Sequence, residues 1–443
     1  MKQTKQSQPI YSDILIVGAG PAGLMAALQA ARAAEPALTA PSTRAGISIR
    51  IIEKNPRAGR KLLAAGAGRC NISHTGSIEE YLQHYGILKG NRKKLLKAVL
   101  YSFSPADLAE FFTHRELPLK ELNEGKLFPR SEKSLDVVEL LERSAKQAGI
   151  HIHYSDPVAE LYLDNGNRES ANEGAEGRTF RISTASGTIY EARALLLASG
   201  GASYPKTGST GDGYELSREL GHRIVPPRPA LAPIELEDYP FGELSGISLP
   251  VELRYPGVSK KAGRTTGDLL FTHRGLSGPV ILNSSRYLAQ GTSIEIAFTD
   301  KTAEELLQFL SEAKAAGGSG LLKSRLRALE LPARFISLLL KKAGIPEELK
   351  LAELGKQAGR KLAALLTAWP LRVSRVGGWD KAMLTSGGVE LSEVHPHSLE
   401  SRLVPGLFFA GELLDIDGDE GGYNLQFAFS SGAVAGRSAA EQI

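Results

Sequence analysis

A turn of three glycines between an apolar strand and a helix constrains this chain more than any other feature. Asp13-Ile-Leu-Ile-Val17 runs into Gly18-Ala-Gly20-Pro21-Ala22-Gly23, and Leu24-Met-Ala-Ala-Leu-Gln-Ala-Ala-Arg32 follows. The apolar run predicts a buried parallel strand. Gly18 suits the tight turn, Gly20 the approach of backbone to a pyrophosphate, and Gly23 the close packing of helix on strand. Pro21 and Ala22 belong to the same turn, and the helix that follows points its first N–H groups and dipole at the phosphates. On its own such a turn is a weak signal. Here a second strand at 47–52 ends in Glu53-Lys54, and the Glu53 carboxylate is placed to bond a ribose hydroxyl. Glu53 falls 30 residues after Gly23, beyond the usual ~20. Residues 35–46 read as an inserted surface loop and account for the excess.

A chain of 443 residues holds two or three domains. Its 42% hydrophobic and 23% charged content suits a soluble globular protein, and a net charge of +4 selects no partner by itself. Cys70 is the single cysteine, which excludes an intramolecular disulfide and a multi-cysteine metal site. The first twelve residues lack the apolar core of a signal peptide, and no apolar run approaches membrane-spanning length. A cytoplasmic protein, not bound to a membrane, is the expectation.

Along the chain, residues 78–145 read as mostly helical, with Ser104-Pro105 starting one helix. Residues 150–163 and 178–198 read as strands, separated by a polar loop at 164–177. Short alternating strands from Pro226, including 247–255 and 293–299, predict a small β domain. Residues 302–368 read as helical, 407–410 as a last strand and 425–440 as a last helix. The domains expected are therefore a nucleotide-binding domain at 1–225 and 376–443, with a helical excursion at 78–145. A β domain at 226–300 and a basic helical domain at 301–375 interrupt it. Within 321–375, twelve Lys and Arg face four Glu. Such an excess marks either a solvated helix face or a contact with phosphates.

Three segments favour FAD over NAD. Gly59-Arg60-Lys61 through Gly68-Arg69-Cys70-Asn71 is a glycine-dense loop beyond the acidic residue, suited to a cofactor that continues toward a large ring. The segment 195–201, ending in Gly200-Gly201, resembles the strand and glycine pair of two-dinucleotide-fold flavoproteins. Residues 404–415 resemble a C-terminal flavin motif, with Gly411 and with Glu412 where an aspartate commonly meets the ribityl chain. Gly421, Gly422, Tyr423, Asn424 and Leu425 then open the last helix, whose N-terminus suits negative charge on a reduced flavin.

With the segment 267–279, these motifs resemble over essentially the whole chain the bacterial aminoacetone oxidase-like, or BaiN/RdsA-like, NAD(P)/FAD-dependent oxidoreductases. The resemblance implies an α/β fold: a Rossmann-type FAD domain interrupted by a β-barrel-like domain and a helical domain. One departure is Ala67, in Gly66-Ala67-Gly68, where the family often has three glycines. The resemblance further implies hydride transfer through flavin N5. Substrates associated with the family are aminoacetone, steroid enones and a uridine of large-subunit ribosomal RNA, which becomes dihydrouridine.

The basic block favours RNA. NAD(P)H then reduces FAD, hydride passes from N5 to uracil C6, and a side-chain acid protonates C5. RNA is expected in a groove between the FAD and inserted domains. Cys70 and His273 are the candidate acids; packing and an ordinary hydrogen-bonding histidine are the bland alternatives. Arg60 and Lys61 are candidates to neutralise the pyrophosphate. Tyr204 and Tyr423 each carry a hydroxyl that suits an active site or simple burial. No second nucleotide fingerprint exists for NAD(P)H, so transient binding at the open flavin face is expected, and oxygen stays open as an acceptor. The alternatives are a small-molecule amine oxidase or enone reductase, and a non-enzymatic, FAD-stabilised RNA-binding protein.

Overall fold

The structure is a computed structural model and describes residues 8–34, 46–86, 88–164, 179–256, 263–316 and 320–443. The expected loops at 35–46 and 164–177 lie outside the described residues, apart from Gly46 and Asp164. Two compact units divide the chain: Met1–Arg228 with Leu384–Ile443, and Pro229–Met383.

The first unit is built on a seven-stranded sheet. Strands His151–His153, Ile49–Ile52, Ile10–Val17 and Ile189–Leu197 lie side by side and parallel. The end of Ile189–Leu197 pairs in parallel with Leu407–Phe409, and its start pairs antiparallel with Thr179–Thr184, which pairs with Val158–Asp164. Ile14, Leu15, Ile16, Leu195, Leu196 and Leu197 are wholly buried, as strands covered on both faces require. Helix Pro21–Ala34 is buried continuously from Ala22 to Ala30 and packs along helix Tyr423–Glu441. Gly432 and Gly436 make that contact possible. A Cβ there would stand 2.2 Å from the Ala22 carbonyl oxygen and 2.0 Å from that of Ala26. Among its described residues, the stretch 78–145 supplies four helices and two short strands, Leu119–Glu121 and Lys126–Pro129. Ser104 caps the helix Pro105–Thr113 through a reciprocal bond with Asp107.

The second unit is a closed barrel. Strands Ile234–Leu236, Gly275–Ser277, Arg264–Phe271, Ser248–Arg254, Ser293–Ala297 and Trp369–Val376 follow one another around it. Inward and outward residues alternate along Ser248–Arg254, the period-two pattern of a strand with one face in a core. The helices Ala303–Ala315, Leu322–Leu326, Ala333–Ala343 and Lys356–Thr367 stand in sequence between the last two barrel strands. They share the barrel's core: the Phe298 and Phe335 rings lie 4.5 Å apart and those of Phe241 and Trp369 5.0 Å apart. Pro279 begins the helix Pro279–Ser284. No described helix is long and apolar enough to cross a membrane.

Candidate cofactor site

The glycine turn lies at the carboxyl ends of the parallel strands, where open α/β sheets bind ligands. Gly18 has a φ of 106°, and its N–H bonds to the Ile52 carbonyl at 2.8 Å. A Cβ on Gly23 would fall 1.9 Å from the Gly18 oxygen, so helix and turn are in backbone contact. A Cβ on Gly20 would meet no atom within 4 Å. The chain thus closes tightly at Gly18 and Gly23 and leaves space at Gly20. Glu53 is buried at the end of its strand. Its Oε2 accepts the Ala19 N–H at 2.8 Å, and Oε1 accepts the backbone and side-chain N–H groups of Asn55 at 2.8 and 2.6 Å. The carboxylate keeps lone pairs for a hydroxyl donor.

Past Gly59, whose φ is 63°, the helix Arg60–Ala64 leads into a turn with successive left-handed residues: Gly66, Ala67 and Gly68, then Cys70. Several cationic side chains there already have protein partners. Lys54 reaches Asp212 at 2.5 Å and Thr210 at 2.6 Å. Arg60 donates to the Asn55 side chain and the Lys206 carbonyl at 2.7 and 2.9 Å. Arg69 pairs with Glu132 and lies over the Phe128 ring. Lys61 bonds Ser203 at 2.5 Å and Glu412 at 2.6 Å. Glu412 also accepts the Thr385 N–H at 2.8 Å and the Ser203 hydroxyl at 3.1 Å.

Near these turns two buried polar atoms, Asn71 Oδ1 and Ser199 Oγ, have no hydrogen-bond partner among the described residues. The first lies 2.9 Å from where a Gly422 Cβ would stand, beside the start of helix Tyr423–Glu441. The second belongs to the residue beside Gly18 at the end of strand Ile189–Leu197. A glycine turn open at Gly20, an acid at the second strand's end, a helix N-terminus and two orphaned polar atoms fit an FAD. Gly18, Gly20, Pro21, Ala22 and Gly23 are suited to its pyrophosphate and Glu53 to its ribose.

Cys70 is wholly buried, and burial pushes its thiol up to about 12. His273 belongs to the second unit and is exposed between two barrel strands. Tyr423 is buried, with its ring stacked on His84 at 4.3 Å and on His74 at 5.1 Å. Burial raises its hydroxyl well above the ordinary tyrosine range. Asn424 shapes the preceding turn: its Oδ1 accepts the Gly418 N–H at 2.7 Å, and its amide donates to the Gly418 and Asp419 carbonyls at 3.0 Å. Burial also lifts Asp415 to about 6, against the pull of Arg92 at 3.7 Å. Tyr204 is half-buried, with a φ of 54°. Gly200 has a φ of 78°, while Gly421 and Gly422 turn the chain into the last helix with φ of 120° and 98°. Leu425 packs at the edge of the core.

Sequence patterns did not single out Ser203 or Thr385. Ser203 stands just after Gly200-Gly201 and Thr385 just before Gly387-Gly388, but only the fold brings them to Glu412. Ser199 was within reach, as the residue preceding the glycine pair.

The profile of the HI0933-like protein Rossmann domain matches residues 12–438. The chain belongs to that family. It is an FAD-dependent oxidoreductase with a Rossmann-type cofactor domain. The flavoprotein is 30% identical over 438 residues to a 3-dehydro-bile acid delta(4,6)-reductase of Clostridium scindens, covering 96% of this chain and 98% of that one. It is 29% identical over 435 residues to a ribosomal RNA dihydrouridine synthase of Haemophilus influenzae, covering 98% and 99% of the two chains. A protein of the same name from Escherichia coli is 28% identical over 422 residues, covering 95% and 96%.

Proposed function

We propose that this flavoprotein uses NAD(P)H to reduce a uridine of large-subunit ribosomal RNA to dihydrouridine. The observation that carries the choice of RNA is a set of basic side chains on the second unit. Arg327, Lys341, Lys342, Lys350, Lys356, Arg360 and Lys361 are all exposed, and among the described residues none has an acidic partner within ion-pair distance. Unpaired cations are the ones free to meet phosphates. The other basic residues of 321–375 differ. Lys323 pairs with Glu348 at 2.6 Å, Arg372 with Glu237 at 3.5 Å and Arg375 with Glu235 at 2.6 Å. Arg334 donates to the Glu243 carbonyl at 3.2 Å. Arg325 lies 3.8 Å from the Phe309 ring centre, with its Nε buried. The names of the two dihydrouridine synthase relatives support the same substrate.

Bound FAD supplies hydride chemistry that no side chain offers. The chain's own residues hold it and exclude water. Gly18, Gly20 and Gly23 let the backbone reach the pyrophosphate, and Asn71 offers an unused acceptor beside the last helix. A proton must also arrive. Of the two candidates His273 is the more accessible to a substrate, being exposed, whereas Cys70 has no free surface. The deciding test is mass spectrometry of ribosomal RNA nucleosides from cells with and without the gene. Dihydrouridine that disappears with the gene and returns with it supports the proposal; an unchanged profile overturns it.

A second reading is supported by the 30% identical bile acid reductase: reduction of a small enone with no RNA. It predicts NAD(P)H consumption with a steroid enone alone. The family's enzymatic character sets aside the non-enzymatic RNA-binding alternative.

A further inference from the structure

Glu412 stands where flavoproteins commonly use an acidic residue on the ribityl chain, and Lys61 lies in the loop expected at the pyrophosphate. The structure engages both with each other. Lys61 Nζ lies 2.6 Å from Glu412 Oε2 and 2.5 Å from Ser203 Oγ. Glu412 Oε1 takes the Ser203 hydroxyl and the Thr385 N–H. The Thr385 hydroxyl in turn accepts the Ala202 N–H at 2.8 Å. Both ionised side chains are mostly covered, 24% and 16% exposed, so solvent screens the pair weakly.

Gly201 supplies a second, independent observation. A Cβ there would stand 2.6 Å from Glu412 Oε1 and 2.3 Å from Thr385 Oγ1. Its φ does not demand glycine; the room for the carboxylate does.

We propose that Lys61 and Glu412 form a charge clasp that positions the cofactor loop at 59–71 against the turn at Gly411–Leu413, with Gly201 kept small to admit the carboxylate. Both are positioning residues. Four segments distant in the chain meet at one carboxylate, so closing the clasp sets the geometry of the pocket walls. This inference rests on the FAD site proposed above.

The test is a double-mutant cycle on FAD affinity, using the full chain stripped of cofactor and titrated with FAD. The variants are Lys61→Met, Glu412→Gln and their combination. Each single variant is expected to weaken FAD binding about tenfold or more, and the double variant no more than the worse single one, because either change opens the same clasp. The absorption bands of the flavin still bound should shift equally in all three variants. Gly201→Ala should give the same shift while keeping both charges. Multiplying losses, with unlike spectra, would mean that Glu412 and Lys61 touch the cofactor separately, and the clasp is then wrong. Unchanged affinity in both single variants also overturns it. Failure of the unaltered protein to bind FAD would instead overturn the cofactor site itself.

Discussion

Single residues show most sharply where chemistry and packing diverge. Cys70 is legible in the sequence as a thiol in a cofactor loop, but burial makes it a poor acid: its proton is held to about 12 and no surface reaches solvent. Cys70→Ala is expected to cost about 1 kcal/mol of stability and to leave turnover and bound FAD intact. His273→Asn should lower turnover with FAD content unchanged, measured by flavin absorbance and initial rates. Ala67, the departure from the family's three glycines, occupies a φ of 55°. Ala67→Gly removes a left-handed penalty of about 1–2 kcal/mol at the expense of glycine's greater chain entropy, for a net gain of up to about 1 kcal/mol in chemical denaturation. His222 lies 2.9 Å from Ser401 Oγ and 3.3 Å from Glu393, an order of groups seen in hydrolases. Here Ser401 is buried and accepts the Leu403 and Val404 N–H groups, so the trio ties chain segments together. Burial holds the His222 imidazole below its ordinary value, outweighing Glu393. The neutral ring is therefore favoured by folding. Its contribution is present above the unfolded value of ~6.5 and is lost as pH falls through the lower folded value. His222→Gln should flatten the acid side of a plot of melting temperature against pH.

At the level of elements, the parallel strands and their glycine turn were readable because both faces are buried and the apolar runs are unbroken. The helix pair 21–34 and 423–441 was readable as two helices, but not as partners. Contact between them rests on Gly432 and Gly436, whose spacing acquires meaning only once the Ala22 and Ala26 carbonyls lie opposite. Gly432→Ala should destabilise the first unit by about 1–3 kcal/mol through forced separation of the helices, read as a lower denaturation midpoint. Strand Trp369–Val376 was hidden behind a helical block. Arg372 faces outward in phase with the alternation, but Arg375 interrupts it where the register shifts opposite Glu235 and Leu236, and only pairing with Ile234–Leu236 and Ser293–Ala297 completes the barrel. On the helix Lys356–Thr367, replacing Lys356, Arg360 and Lys361 by Ala should weaken RNA binding. The salt slope should become shallower by ~0.7–0.9 for each phosphate that is no longer neutralised. Arg325→Ala should act differently. It removes stacking on Phe309, so its effect belongs in stability.

Across the whole molecule, two hydrophobic cores stand behind the two units. Separate cores permit separate melting, so calorimetry should resolve two transitions, and FAD should raise the one belonging to the glycine-turn unit. A single transition unaffected by FAD would count against both statements. The fold class, the dinucleotide turn and the position of Glu53 were determined by the sequence itself, because each depends on residues close in the chain and on one hydrophobic period. The partners of Lys61, Glu412 and Arg325 were decided by the tertiary structure alone. Lys61 and Glu412 are 351 residues apart, and no local pattern records which distant charge will satisfy a buried one. That matching is settled only when the sheet and its crossovers bring the segments together, since an ion leaving water must find its counter-charge where packing puts it.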